Sequence, residues 1–244
     1  MTVAIPNYSY TYRRRGKPVF APSAIGRRIG AEVKSAVEAA YDFDPIYFHL
    51  RKGGHVAAMH HHRGHRHFAR IDIARFFYSV SRRRVQSALD RVGVGNAAFY
   101  AKWSTVANPY RDPRYSLPYG FVQSPVLASL VIATSALGDH LRVLPPEVTV
   151  GVYVDDVSLS SDDLHALQAA YDATLDALAG DGFAVNADKL RPPAERIDIF
   201  NCDLTHGSSV IRDDRIADFV AMGPTQAAEE AFIAYCASVE AGNH

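Results

Sequence analysis

Two adjacent aspartates interrupt a strongly apolar segment, and this feature constrains the fold more than any other. Residues 148–154 are mostly β-branched and the strand pattern resumes at 157–160, which predicts a hairpin turn at Asp155 and Asp156. Two carboxylates at one turn repel each other unless a cation lies nearby. The segment therefore indicates a metal-bearing hairpin, although Asp-Asp pairs also occur at ordinary turns.

Asp72 is the candidate for a third carboxylate. It lies between Ile71 and Ile73 in a predicted strand over residues 67–73, where an unpaired charge is costly to bury. Carboxylates on adjacent strands can hold two metal ions about 3.5–4 Å apart, an arrangement that suits phosphoryl transfer. The alternative is that Asp72 forms a buried ion pair with an arginine.

The rest of the chain alternates between helical and strand patterns without repeats or linkers. Helices are predicted over residues 24–41, 81–92, 124–141 and 225–239, with a further helix beginning at Asp162. Short strands are predicted around 183–186, 196–202 and 209–212. This order predicts one α+β body, in which helices back a sheet.

The charges are distributed unevenly along the chain. Residues 1–91 carry 17 Lys and Arg against 6 Asp and Glu, a net of +11, whereas residues 92–244 carry 9 against 20, a net of −11. One interpretation is that the basic part binds a polyanion and the acidic part binds metal ions. The other is that both sets of charges belong to ordinary solvated surface.

Targeting and redox features are few. The longest apolar stretch, residues 126–137, is too short to cross a membrane, and the first residues do not resemble a secretory signal, so we expect a cytoplasmic protein. The two cysteines, Cys202 and Cys236, are too few for a disulfide framework or a four-cysteine zinc site. We expect both to be reduced and structural.

Four further segments, taken together with the Asp-Asp hairpin, resemble the ordered motifs of reverse transcriptases. The segment HFARIDIARFFYSV at 67–80 resembles motif A, and LPYGFVQSPVLASL at 117–130 resembles motif B. The segment VYVDDVSLS at 152–160 resembles motif C, and GFAVNADK at 182–189 is similar to motif D. Residues 197–204 are similar to a degenerate motif E. Upstream, YRRRGKPVFAP and FHLRKGGHVAAMHHHRGH look like the fingers of bacterial retron and group II intron enzymes.

The resemblance implies a right-hand polymerase. Its basic fingers would span residues 1–70, and its palm, a ferredoxin-like sheet backed by helices, would span 71–203 with fingers elements interleaved at about 82–116. A very short thumb would occupy residues 204–244. The implied activity is RNA-directed DNA polymerisation, in which dNTPs are added to a 3′ hydroxyl, or to a protein or RNA primer, with two Mg²⁺ ions and with Mn²⁺ as an alternative.

The family's functional positions fall on specific residues of this chain. The implied catalytic residues are Asp72, Asp155, Asp156 and Lys189, and the implied metal-binding residues are Asp72, Ile73, Asp155 and Asp156. The implied dNTP-binding residues are Phe77, Tyr119, Gly120, Arg13, Arg15 and Lys17. The implied template and primer residues are Tyr153, Ser124, Pro125, Arg63 and Arg66. Phe77 matches a steric gate against ribonucleotides, whereas Tyr119 departs from the glutamine of many relatives.

Seven of the eleven histidines lie between His49 and His67. Zinc binding is one interpretation, but the spacing matches no common ligand pattern, and the sequence favours a loop that contacts nucleic-acid backbone together with Arg63, Arg66 and Arg70. The aromatic residues Phe99, Tyr100 and Trp103 are predicted to pack on a helix face rather than to stack on bases.

The expected partners are an RNA template, with a dedicated non-coding RNA as one source, a DNA product and dNTPs. Because the implied thumb is so short, we also expect an accessory protein, a structured RNA or further copies of this chain to help hold the nucleic acid. The resemblance suggests a bacterial retron-like or anti-phage defence role. Two rival interpretations remain, namely another palm-type enzyme such as a nucleotide cyclase and a catalytically silent RNA-binding module.

Overall fold

The computed structural model describes residues 6–244, which divide into two compact units. Unit 1 comprises residues 6–44, 74–139 and 180–183, and unit 2 comprises residues 45–73, 140–179 and 184–244. Residues 45–70, which the sequence-based division assigns to the fingers, thus belong to the same unit as the carboxylate hairpin. Residues 1–5 of the predicted fingers lie outside the described residues, and the functional division into fingers, palm and thumb stays a prediction.

Within residues 6–244 the chain alternates between strands and helices. The strands are β1 (Tyr8–Arg14), β2 (Lys17–Pro22), β3 (His67–Asp72), β4 (Val106–Ala107), β5 (Tyr115–Ser116), β6 (Thr149–Tyr153), β7 (Asp156–Ser161), β8 (Arg191–Ala194), β9 (Arg196–Ile199), β10 (Cys202–Thr205) and β11 (Ser208–Ile211). The helices are α1 (Ala24–Ala40), α2 (Gly54–His62), α3 (Phe76–Ser79), α4 (Arg82–Arg91), α5 (Ala97–Ser104), α6 (Ser124–Ala133), α7 (Ala136–Arg142), α8 (Leu164–Gly180), α9 (Asp213–Ala221) and α10 (Gln226–Glu240).

Unit 1 combines a β1–β2 hairpin with a group of short helices. Ser23 caps α1 by accepting a hydrogen bond from the Gly26 N–H, and Ser81 caps α4 by accepting from the Arg84 N–H. Every residue of α6 is buried except Pro125, so this helix forms the centre of the unit. The unit therefore has a helical core with the basic hairpin of β1 and β2 attached to it.

Unit 2 is built on a four-stranded antiparallel sheet with the order β6-β7-β3-β8. A second sheet, in the order β11-β10-β9, packs through a core that includes Met59 of α2, Phe68 of β3, Leu204 of β10 and Val239 of α10. Because side chains alternate along a strand, Phe68 shares one face of β3 with Arg70 and Asp72. The second sheet thus covers the face that carries the charged residues.

The predicted α+β fold class is confirmed, and three local predictions are wrong. The helix predicted over 124–141 is two helices, α6 and α7, bent by 73°. The hydroxyls of Thr134 and Ser135 donate to the Leu130 and Ile132 carbonyls at the break, which competes with helix continuation. The strand predicted over 196–202 is the β9–β10 hairpin, which turns at Phe200 and Asn201 with positive φ. Residues 183–186 form only an isolated bridge to Ile73 through Val185.

Two further differences from the sequence-based expectations concern strand β8 and helix α2. The strand β8 contains two consecutive prolines and pairs only with β3, so it lies at the edge of the sheet, where missing N–H groups are tolerated. The histidine-rich segment that was predicted as a loop forms helix α2 instead.

In the described part of the chain, no single helix has the length and apolar character needed to span a membrane. The bent pair of α6 and α7 meets those two criteria only when both helices are taken together.

Candidate active site

Two of the predicted carboxylates lie directly opposite each other in the sheet of unit 2. Asp72 is the last residue of β3, and its register partner on β7 is Asp156. The turn of the β6–β7 hairpin is formed by Val154 and Asp155, and Asp156 is the first residue of β7. The sequence had predicted the turn at Asp155 and Asp156, so that prediction is wrong by one residue. Asp72 and Asp156 are 3% and 8% exposed, whereas Asp155 is half-buried. The hairpin thus brings the three carboxylates to the same end of the two central strands, β3 and β7.

The turn is held in an unusual backbone conformation. Val154 has a φ of +57°, a region that strains a β-branched residue by about 1–3 kcal/mol. Its N–H donates to the His49 Nδ1 at 3.1 Å, and the Asp155 carbonyl accepts from the Ile73 N–H at 2.8 Å. Burial lowers the pKa of His49 to about 4, so its ring is neutral and Nδ1 can accept. These two bonds fix the position of Asp155.

Internal cations accompany the carboxylates. Arg70 lies on the same face of β3 as Asp72. Its Nε is 2.7 Å from the Asp156 Oδ1, and its Nη2 is 3.8 Å from the Asp72 Oδ2. The Lys189 Nζ donates to the Asp72 Oδ2 at 2.8 Å. Asp198 contacts Arg70 from the second sheet at 3.8 Å. The alternative interpretation of Asp72, a buried ion pair with an arginine, is therefore also present. Arg70 is the arginine, and its contact with Asp72 is longer than its contact with Asp156.

The carboxylates also influence one another. Burial raises the pKa of Asp156 to about 6, the ion pair with Arg70 opposes this shift, and the charges of Asp155 and Asp72 add to it. A cation beyond Arg70 would therefore stabilise the ionised form of Asp156.

The donor set fits Mg²⁺ in its chemistry. Magnesium takes hard oxygen ligands, usually one or two carboxylates together with substrate phosphates, and Asp72, Asp155 and Asp156 supply such oxygens from neighbouring backbone positions. Among residues 6–244, no three His, Cys, Asp or Glu side chains are oriented as a complete metal cage. The Asp72 and Asp156 carboxylates are instead oriented towards Arg70 and Lys189, so coordination by these two requires side-chain rotation on a fixed backbone.

The predicted primer and template residues of unit 2 lie in different surroundings. The Tyr153 ring, at the end of β6, packs edge-on against His49, His55 and Phe200 at 5.1–5.9 Å between centroids. Arg63 donates to the Asn243 Oδ1 at 2.8 Å and thus ties α2 to the end of the chain. The exposed Arg66 is the one predicted template residue of unit 2 whose side chain makes no contact within the described residues.

Unit 1 brings together four of the predicted nucleotide-binding residues. The Phe77 ring is 6% exposed and lies 4.8 Å from the Tyr119 ring. The Lys17 Nζ donates to the Tyr119 hydroxyl at 3.3 Å. Gly120 has a φ of +103°, and a Cβ there would lie 2.3 Å from the Phe20 carbonyl oxygen, so only glycine fits. Tyr119, at the position where many relatives have glutamine, thus packs between the Phe77 ring and the Lys17 ammonium.

The remaining predicted residues of unit 1 occupy the neighbouring hairpin and helix. Arg13 and Arg15 lie at the β1–β2 turn, where both are exposed and the Arg13 Nη1 donates to the Gly16 carbonyl at 2.9 Å. The Ser124 hydroxyl donates to the Pro118 carbonyl at 2.7 Å, and Pro125 occupies the first turn of α6. Ser124 therefore holds the loop before α6 in place.

The histidines of α2 serve mainly as internal partners. His62 is 1% exposed, and its two ring nitrogens lie 2.8 Å from the Ser158 and Ser160 hydroxyls of β7. Burial lowers the pKa of His62 to about 3, so the ring is neutral and bridges the serines with one donor and one acceptor. His60 and His55 bond to the Val239 carbonyl and the Tyr235 hydroxyl of α10. These contacts explain the cluster as packing between α2, the sheet and α10.

Sequence reasoning missed the roles of His49 and Asp198 and assigned Arg70 to nucleic-acid contact. The position of Arg70 two residues before Asp72 on a strand was a usable signal, because alternate residues share a face. No local signal marks His49 or Asp198, since they reach the site through long-range packing.

Comparison with known proteins gives one family. The family described as reverse transcriptase (RNA-dependent DNA polymerase) matches residues 15–197. No curated protein matches the sequence significantly. Among solved structures, telomerase from Candida albicans in complex with a fragment of telomeric RNA has a TM-score of 0.56 and 13% identity, over 76% of this chain and 38% of that chain. A foamy viral protease-reverse transcriptase in complex with double-stranded DNA has a TM-score of 0.49 and 14% identity, over 84% of this chain and 30% of that one.

These likenesses differ in what they establish. At 13% identity the telomerase structure shows a shared fold alone, and this chain spans well under half of the telomerase chain. The family match covers three quarters of the present sequence and includes the β3 strand and the β6–β7 hairpin. The chain therefore belongs to the reverse transcriptase family.

Proposed function

We propose that this chain is an RNA-directed DNA polymerase that adds dNTPs to a 3′ hydroxyl. The observation that carries the proposal is the pairing of Asp72 with Asp156 on adjacent strands, with Asp155 at the turn beside them. Family membership supports the same activity. Asp72, Asp155, Asp156 and the Ile73 carbonyl would hold Mg²⁺ or Mn²⁺, which when bound would activate the 3′ hydroxyl and neutralise phosphate charge.

The residues of the chain itself contribute binding, orientation and proton transfer. Lys189, which now pairs with Asp72, is the cation that would assist departure of pyrophosphate. Phe77 would exclude a ribose 2′-hydroxyl, and Lys17, Arg13 and Arg15 would bind the triphosphate. Tyr119 would pack beside the nucleotide without the amide contact that many relatives make. The His49 ring would keep Asp155 in place throughout the reaction.

A second candidate, a catalytically silent nucleic-acid-binding module, is favoured by one observation. Arg70 and Lys189 already neutralise Asp156 and Asp72, which is an arrangement that a structural module would also need. A cyclase has no comparable support here. The polymerase remains the better proposal, because a module without chemistry has no need for three converging carboxylates.

The biological role is proposed from family likeness alone. A retron-like or anti-phage defence system would supply a dedicated RNA as template, and a cytoplasmic location follows from that role. Deletion of the gene should raise phage susceptibility or remove host RNA-linked DNA. If neither changes, the defence role is wrong whether or not the protein polymerises DNA.

A nucleotide-omission assay tests the activity. Purified protein with Mg²⁺ and a primed RNA template should extend the primer and stop one position before each omitted dNTP. Phe77→Val should reduce discrimination against ribonucleotides by at least about tenfold, whereas the exposed Phe99→Val should not. Extension that ignores the template sequence, a cyclic product, or no incorporation at all would contradict the proposal.

A further inference from the structure

A pocket in unit 1, whose described lining residues include none of those predicted to bind the nucleotide, has the composition of a nucleic-acid site. It has a volume of about 510 Å³ and is lined by residues from the amino-terminal segment, α4, α5 and the β4–β5 pair. This volume lies in the range of small-ligand sites. Tyr8, Trp103 and Tyr115 line it together with Arg82 and Lys102, and none of the described lining residues is acidic.

The cations of this pocket lack carboxylate partners. Within residues 6–244, neither Arg82 nor Lys102 makes an ion pair. The larger pocket of unit 2, at about 570 Å³, differs, because its arginines are already matched with aspartates, for example Arg196 with Asp203 at 2.7 Å. Of these two pockets, the one in unit 1 is the one whose positive charge is available to an anionic ligand.

Arg82 and the backbone at Trp103 are held in place before any ligand arrives. The Arg82 Nε donates to the Thr105 hydroxyl at 2.7 Å, and its guanidinium lies 3.9 Å from the centre of the Tyr115 ring. The Asn7 side-chain amide donates to the Trp103 and Thr105 carbonyls at 3.0 and 2.9 Å. A site fixed in this way loses little conformational entropy on binding.

We propose that this pocket binds one nucleotide of a single-stranded nucleic acid. The base stacks on Trp103, and a backbone phosphate pairs with Lys102 and with Arg82, which is stacked on Tyr115. Aromatic rings beside cations are the common means of holding single strands without sequence preference, because every base has a π-face. The sequence had favoured a packing role for Trp103, but its ring is half-buried and lines the pocket.

The choice of a strand over a free nucleotide rests on the proposed function, since a polymerase must handle unpaired template. The site itself requires no catalysis. Unit 1 as a whole carries 15 Lys and Arg against 8 Asp and Glu, a net of +7, which favours a polyanion over a single nucleotide.

Trp103 is the only tryptophan, so its fluorescence reports on this pocket alone. Oligothymidylate titrated into the full chain in EDTA should quench the fluorescence to saturation. Lys102→Gln and Arg82→Gln should weaken this binding by at least about fivefold, and the exposed neighbour Arg83→Gln should leave it unchanged. Trp103→Ala, followed by anisotropy of a labelled strand, should show a similar loss. Because Arg82 also anchors Thr105, Lys102→Gln keeps the test valid if Arg82→Gln fails to fold.

Four results would overturn the proposal. The first is that no strand binds, and the second is that a strand binds without any change in Trp103 fluorescence. The third is unchanged affinity in both Lys102→Gln and Trp103→Ala. The fourth is quenching by thymidine monophosphate that matches or exceeds quenching by the strand. Primer extension is measured separately, so that loss of extension with intact quenching counts against the proposed function, and intact extension without quenching counts only against this site.

Discussion

The two units treat charge in opposite ways. Unit 2 carries 11 Lys and Arg against 18 Asp and Glu, yet its central carboxylates are buried and paired with Arg70 and Lys189. Unit 1 carries the excess of cations, and those of the β1–β2 turn and of the pocket beside Trp103 have no carboxylate partners among the described residues. The central charges of unit 2 are compensated within the fold, whereas the cations of the turn and the pocket in unit 1 are available to a ligand.

This difference predicts how each unit responds to substitution. In unit 2, removal of one polar partner leaves another buried and unsatisfied, so stability or chemistry should suffer. In unit 1, removal of an exposed cation should weaken ligand binding and leave stability nearly unchanged. The following predictions test this contrast in order of decreasing effect.

Asp155→Asn should have the largest effect. Loss of a metal-binding carboxylate should lower the rate of primer extension by about a thousandfold or more, which corresponds to several kcal/mol of transition-state stabilisation. Single-turnover extension on a primed RNA template measures this. Asp176→Asn, an exposed carboxylate on α8, is the matched control and should retain full activity. Equal rates in the two variants would exclude Asp155 from the chemistry.

His62→Ala should lower the free energy of unfolding by about 2–4 kcal/mol, because it leaves a cavity and two buried serine hydroxyls without their shared partner. Urea denaturation measures the change. His165→Ala, an exposed histidine on α8, should alter stability by no more than about 0.5 kcal/mol. A small effect at His62 would show that the α2 histidines are not structural.

Asp156→Asn should remove a pH dependence of stability. The folded pKa of Asp156 is raised from its ordinary value of 3.8 to about 6, so the folded state holds this proton more tightly than the unfolded chain does. The resulting stabilisation is fully present below about pH 4 and is lost as the pH rises through about 6, by at most about 3 kcal/mol. Unfolding in EDTA between these pH values should show this decline in the wild type and not in Asp156→Asn. A parallel decline in both proteins would assign it to another group.

Lys17→Gln should have the smallest effect and should change only binding. The KM for dNTPs should rise by about fivefold, with kcat and the unfolding free energy unchanged, because an exposed cation that contacts phosphate contributes modestly. Steady-state extension and urea denaturation measure the two quantities. Lys34→Gln on α1 is the control, since Lys34 pairs with Glu38 on the surface. A loss of stability without a change in KM would reverse the contrast between the units.

The sequence predicted those parts of the structure that depend on local patterns. A β-branched run located β6, strand patterns located β3 and β7, and the serines before α1 and α4 marked the true helix starts. The turn was misplaced by one residue, because the β-branched run continues through Val154, which the fold holds at positive φ against its preference. Local preference cannot reveal a strain that distant hydrogen bonds maintain.

The candidate site shows the same limit. Spacing and family likeness correctly predicted that Asp72 and Asp156 lie close together, since strand register sets the positions of these two residues. The ion pairs of Arg70 with Asp198 and of Lys189 with Asp72 depend on tertiary packing across 128 and 117 residues of sequence. The pocket beside Trp103 likewise joins the amino-terminal segment to α5 through Asn7, which no window of sequence indicates.

The central claim is that Asp72, Asp155 and Asp156 of unit 2 bind metal ions. Mn²⁺ titration followed by electron paramagnetic resonance tests this claim most directly. The protein is held with an RNA template, a primer that lacks a 3′ hydroxyl and the matching dNTP, and free Mn²⁺ is measured. The wild type and Asp176→Asn should bind Mn²⁺ alike, and Asp72→Asn should bind it at least about tenfold more weakly. Identical binding in all three proteins would contradict the account.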